Sequence, residues 1–254
     1  VGHSNADVAR LMNAEVLFLS GGGIGKALDQ LEVDLSYFLY KKVNVRGVIF
    51  NKLLVNKIDQ VKHYLNENLL NDMYQFEHPL RVFGYLPEIY DLNKPSMELI
   101  KHRFKECECL GETRSDIWQI PISQVRVISL PNEYLNMERY LKPQNVVIIG
   151  AGSKNRLKRI IEFNRTQPKL EKLAGIVLTC GESTDLLEES RKALENSDIP
   201  GLYVKEDTAQ AEDLIKKAVE NTKIQVFDKH KYEEIQTLFR EHFDFDRLAE
   251  ELQL

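Results

Sequence analysis

Long apolar runs are missing from the 254-residue sequence. No stretch approaches the about 18 apolar residues that a membrane-spanning helix needs, so no membrane partner is expected. Cysteine is scarce: Cys107, Cys109 and Cys180 cannot build a disulfide framework and fit a reducing compartment, which points to the cytoplasm. Cys107 and Cys109 lie in a Lys/Glu-rich stretch read as helical, with no two further ligands nearby, so no metal site is expected there. Six histidines are scattered without an i, i+4 pair on a shared helix face, which leaves metal-dependent hydrolysis unsupported. Neither Ser20 nor Ser183 has the setting of a nucleophile elbow. Positive charge is not in excess either. Lys+Arg number 34 against 39 Asp+Glu, with 10 basic and 11 acidic residues in 1–95, so neither part is a basic domain and no nucleic-acid partner is expected. The start, Val1 to Asp7, lacks a basic n-region, an apolar h-region and a Met. It reads as a processed, trimmed or partial chain with no visible signal peptide.

The 43% of hydrophobic residues is ample for a packed core, and the length suits one large or two small domains. Helical spacing over Asn5 to Asn13 follows Ser4, a capping residue. Glu15 to Ser20 is a short apolar run that ends in glycines, the pattern of a buried strand entering a loop. Ala27 to Tyr40 returns to helical periodicity. Val45 to Lys52 predicts a strand, Lys57 to Leu70 a helix, and Arg81 to Leu86 a third strand. Strands alternating with helices imply crossover connections and a parallel sheet. Further on, Ser96 to Leu110 reads as a helix and 111–116 as the best linker. Strands are then expected at Val125 to Ile128, Val146 to Ile149, Gly175 to Thr179 and Gly201 to Val204. Helices are expected near Asn132 to Leu141, Lys154 to Asn164, Asp185 to Asn196 and Thr208 to Asn221, with one charged amphipathic helical region over Lys231 to Leu254. Two α/β domains are the economical reading.

Two glycine-rich turns could carry chemistry. Ser20-Gly21-Gly22-Gly23-Ile24-Gly25-Lys26-Ala27 stands between a strand and a helix, where exposed backbone amides cradle phosphate. It departs from a Walker A loop at Ser20, where Gly is required, and at Ala27, where the magnesium-binding hydroxyl should be. A glycine surface beside a neighbouring phosphate, or a purely structural turn, fits better. Gly150-Ala151-Gly152-Ser153-Lys154-Asn155 begins like a dinucleotide fingerprint, but Asn155 stands where Gly or Ala closes helix on strand. Glu171, about 20 residues on, does not end a strand, so an NAD reading is weak. Asp207-Thr208 reads as a helix N-cap.

The order of these segments resembles a known group. Ser4-Asn5-Ala6-Asp7-Val8-Ala9, a strand, Gly22-Gly23-Ile24-Gly25, then Gly47-Val48-Ile49-Phe50-Asn51-Lys52 and Gly84-Tyr85-Leu86-Pro87-Glu88 resemble the dethiobiotin synthetase and cobyrinic acid a,c-diamide synthase group of P-loop proteins. The likeness covers roughly residues 1–95. It corresponds to the distal half of that domain, with the Walker A strand expected upstream of Ser4 and Val1-Gly2-His3 as the last trace of an acidic strand. The resemblance implies that Asn51 hydrogen-bonds adenine, that Leu86, Pro87 and Glu88 lie along the base, and that Gly22, Gly23 and Gly25 line the neighbouring substrate side. An amide offers the donor and acceptor that the adenine edge requires. Asn51 is also an ordinary residue for a turn at a strand end.

The second part resembles the DRTGG domain found in some bacterial proteins, including the front of certain phosphotransacetylases. Leu173 to Gly181, Ile199 to Val204 and Asp207-Thr208 carry the likeness, but no Asp-Arg pair follows Val146 to Ile149. Together the resemblances imply an α/β protein of two domains. Residues 1–110 form a partial P-loop-type parallel sheet with flanking helices, and residues 111–254 a smaller DRTGG-like regulatory domain with C-terminal helices. They imply ATP and Mg²⁺ as cofactors of a full-length form and an ATP-dependent ligase-like activity only where the P-loop is supplied. An adenine nucleotide, a small-molecule carboxylate or metabolite, and further copies of the chain are the implied partners. The alternative is a non-catalytic metabolite- or nucleotide-sensing regulatory protein.

Overall fold

The computed structural model describes residues 4–21, 24–111, 115–129, 136–180, 184–220 and 222–253. It divides into two compact units, Val1–Ile89 with Tyr232–Leu254, and Tyr90–Lys231. Gly111, where the sequence reading places the boundary, lies inside the second unit.

In the first unit, α1 (Asn5–Met12) is started by a capping box. The Asp7 amide donates to Ser4 Oγ at 3.1 Å, and the Ser4 amide donates back to the Asp7 carboxylate at 3.3 Å. Asn13, in the left-handed region at φ 51°, closes the helix. Then follow β1 (Val16–Gly21), α2 (Ile24–Tyr40), β2 (Val45–Leu53), α3 (Ile58–Tyr64), α4 (Glu67–Met73) and β3 (Arg81–Pro87). The strands form a parallel sheet in the order β1-β2-β3. Its core joins Leu31, Leu35 and Phe38 of α2, Val48 and Phe50 of β2, Val61 and Leu65 around α3, and Leu70 of α4. Gly47 is required by packing: a Cβ there would come within 2.6 Å of the Arg81 carbonyl oxygen and into the Phe83 ring.

In the second unit, α5 (Met97–Lys101) is capped by Ser96. β4 (Cys107–Leu110), α6 (Ser115–Trp118), β5 (Gln124–Val127), α7 (Met137–Tyr140), β6 (Asn145–Gly150), α8 (Lys154–Thr166), β7 (Gly175–Thr179), α9 (Thr184–Glu195), β8 (Gly201–Val204) and α10 (Thr208–Glu220) follow. The five strands are ordered β4-β8-β7-β6-β5, all parallel except β4. β6 and β7 are buried on both faces, and separate apolar clusters cover the two sides of the sheet. The helix expected over Ser96 to Leu110 is corrected: it ends at Lys101, and Cys107 and Cys109 lie on the antiparallel edge strand β4. Pairing with β8 supplies the backbone bonds that this charged, weakly periodic stretch could not specify locally. Asp207 caps α10, accepting the Gln210 amide at 2.8 Å.

The chain ends in α11 (Lys229–His242) and α12 (Phe245–Leu252), two helices where the sequence pattern predicts one helical region. The break is made by the sheet. Phe243 forms an antiparallel bridge with Gly84, and the Asp244 amide donates to the Phe83 carbonyl at 2.8 Å. Asp244 then caps α12 through the Arg247 amide at 3.0 Å. The outer edge of β3 is therefore paired, and α12 is fixed by ion pairs of Arg81 with Glu251 at 2.6 Å and of Arg247 with Glu67 at 2.7 Å.

Candidate functional site

Asn51, Leu86, Pro87 and Glu88 lie at one rim, the C-terminal ends of the parallel strands of the first unit. In open α/β sheets this is the end at which ligands bind, because loops there can diverge and helix N-termini face it. Gly21 ends β1 and stands in register with Asn51 of β2, while Leu53 stands in register with Pro87 of β3. The Glu88 amide donates to the Leu53 carbonyl at 2.8 Å and ties the loop after β3 to the end of β2.

Asn51 is half-buried, and its Oδ1 accepts the Lys52 amide at 2.9 Å. That bond supports the left-handed backbone of Lys52, at φ 56°, where the strand turns. The ordinary turn role of Asn51 is thus realised, and its Nδ2 has no protein partner among the described residues. The amide keeps its donor and the second lone pair of Oδ1 for a ligand.

Leu86, Pro87 and Glu88 do not present themselves equally. Leu86 is buried at 1% exposure, whereas Pro87 and Glu88 are half-exposed. Gly25 lies in the first turn of α2, and among the described residues a Cβ added there meets nothing within 4 Å. Gly22 and Gly23 lie outside the described residues.

A cleft of about 640 Å³ in the same unit is lined by other residues, among them Lys62, Phe83, Tyr85, Arg240 and His242, and by none of the candidates. Tyr85 stacks on Phe50 at 5.4 Å between centroids and donates its hydroxyl to the Leu65 carbonyl at 2.8 Å. Burial, with a smaller contribution from Glu67, pushes its pKa up to about 12, so the phenol stays protonated and structural. Sequence reasoning had no signal for this cleft, because the return of residues 240–246 to β3 is a tertiary event.

In the second unit, the turn after β6 is tied down. The Ala151 amide donates to the Thr179 carbonyl at 2.8 Å, and Ser190 Oγ donates to the Ala151 carbonyl at 3.0 Å. Ala151 itself is buried at 1% exposure. Glu171 sits in a single 3-10 turn, Lys169–Glu171, away from any strand end. The burial of Cys107 and Cys109 pushes both thiols above their ordinary pKa, and no cluster of three or more His, Cys, Asp or Glu side chains among the described residues is placed to hold a metal.

The parallel α/β architecture of the first unit agrees with the comparisons. Residues 1–96 match an AAA domain. The curated cobyrinate a,c-diamide synthase of Caldanaerobacter subterraneus subsp. tengcongensis is 31% identical over 97 residues, which is 38% of this chain and 20% of that protein. The chain therefore spans about a fifth of the length of this relative. The match and the parallel α/β architecture support a P-loop NTPase-like domain in residues 1–96. Among the described residues, no helix is long and apolar enough to cross a membrane.

Proposed function

We propose that the P-loop-like first unit binds an adenine nucleotide at the C-terminal rim of its sheet, with Asn51 facing the base edge and Pro87 and Glu88 lying along it. Leu86 supports that loop from beneath, and Gly22, Gly23 and Gly25 line the adjoining substrate side. The observation that carries this reading is the register that brings the ends of β1, β2 and β3 together at Gly21, Asn51 and Pro87, within the region matched by the AAA domain. The base fits the free Asn51 donor. Mg²⁺ is different: among the described residues no group of three or more His, Cys, Asp or Glu side chains is placed to hold a metal, and no Gly-x4-Gly-Lys-Ser/Thr loop occurs in the sequence. ATP and Mg²⁺ chemistry, such as phosphorylation of a small carboxylate for ring closure or amidation, is expected only where such a loop is supplied.

Calorimetric titration of the chain with ATP and ADP tests the reading. Binding should weaken about fivefold in Asn51→Ala, the loss of one hydrogen bond of roughly 1 kcal/mol. The given sequence should show no ATP turnover. Absence of binding, or an Asn51→Ala affinity equal to wild type, overturns the site.

The second unit is proposed to be a DRTGG-like regulatory domain, and the rival whole-protein reading is a non-catalytic sensor that self-associates. That reading is favoured by an independent core with its own partly open cavity.

A further inference from the structure

At the N-terminal ends of β6 and β7, away from the rims discussed above, the second unit has a partly open cavity of about 160 Å³. Its wall includes Asn164, the innermost polar residue, which is 0% exposed. Asn164 Oδ1 accepts the Leu173 amide at 2.8 Å, and because a backbone N–H needs an oxygen, this bond fixes which way the side-chain amide faces. Its Nδ2 is consequently a buried donor without a partner. Such a group is costly to leave unsatisfied and calls for an acceptor.

The rest of the lining is chemically sorted. Phe163 and Leu173 are apolar, while Lys142, Glu138 and Glu171 are exposed charged residues at the mouth. None of these three has an ion-pair partner among the described residues, although neighbouring Lys172 is paired with Asp198. A buried amide donor beside a lysine suits a carboxylate, and two carboxylates suit an ammonium group. The apolar wall suits a short aliphatic group. A pure anion would leave the glutamates unused, and a pure cation would leave Asn164 unsatisfied. A cavity of about 150 Å³ holds a molecule of roughly six heavy atoms such as benzene, which sets the size.

We propose that this cavity binds a small zwitterionic α-amino acid, its carboxylate held by Asn164 and Lys142 and its ammonium group by Glu138 and Glu171. The proposal rests on the sensing reading of the second unit and supplies its ligand class.

The test is calorimetric titration of the full chain with glycine, L-alanine, L-serine and L-valine, with acetate and ethylamine as half-ligand controls. At least one amino acid should bind, more tightly than either control. Lys142→Ala and Glu138→Gln, both at exposed positions, should each weaken it about tenfold, in keeping with loss of a charge-assisted hydrogen bond. Asn164→Asp keeps the oxygen that Leu173 requires and removes the donor, so it should abolish binding. Should that variant fail to fold, the two variants at the mouth decide. Silence from all four amino acids, wild-type affinity in both mouth variants, or equal binding of acetate overturns the proposal. Binding of an acyl phosphate alongside silent amino acids overturns it too, while leaving the sensing reading intact.

Discussion

Two glycines of the first unit separate packing from ligand access. Gly47 sits in a β-strand beneath the Phe83 ring, whereas Gly25 has no neighbour within reach of an added methyl. Gly47→Ala should therefore destabilise the protein by about 1–3 kcal/mol through overpacking, measured by urea unfolding, while Gly25→Ala should leave stability nearly unchanged. That Gly47 lies against the Phe83 ring is a tertiary fact without a local sequence signal. Asn51 was legible as a turn residue from its place after an apolar run. Its assignment to adenine came only through resemblance, because periodicity says nothing about which side chains meet at a rim. Asn164 left no trace at all: within a helix rich in polar residues, only the tertiary structure shows that it is fully buried with one amide group unspent.

Helices and strands were legible where the pattern was strong and local. The runs that became β6 and β7 are continuous and apolar, as strands buried on both faces must be, and those of β2 and β3 are largely so. β4 escaped because an edge strand with a half-exposed, charged sequence carries no such signal. The single C-terminal helical region became two because Phe243 and Asp244 give their backbone to β3. The attachment of α1 also depends on a specific bond. Asp7 accepts from Ser4 Oγ at 2.7 Å and pairs with Lys41 at 2.8 Å, and these partners, Lys41 foremost, lower its pKa from 3.8 to about 2. A carboxylate depressed in the folded state stabilises it above its unfolded pKa and loses that contribution as pH falls through the folded value. The melting temperature should accordingly drop between about pH 4 and pH 2, and drop less steeply in Asp7→Asn, whose side chain does not titrate.

At the scale of the molecule, the α/β class with parallel strands was legible from alternating strand and helix patterns. The membership of the last residues was not, because residues 232–254 rejoin the first unit across a long separation in sequence. Each unit has its own core, so residues 90–231 made as a fragment should unfold in one cooperative transition. Residues 1–89 made alone should not, since the edge of β3 is then unpaired, Arg81 loses Glu251 and Glu67 loses Arg247. Circular dichroism during urea titration separates these outcomes.

The pairing of Phe243 with Gly84 also orders events during synthesis. The strand that receives it is made before the second unit, but the segment that completes it leaves the ribosome only after the second unit. Translation of the intervening residues takes on the order of ten seconds, long enough for the second unit to fold first. Through that interval the edge of β3 is available to chaperones or to other nascent chains. Of the two units, the one begun earlier is thus closed later.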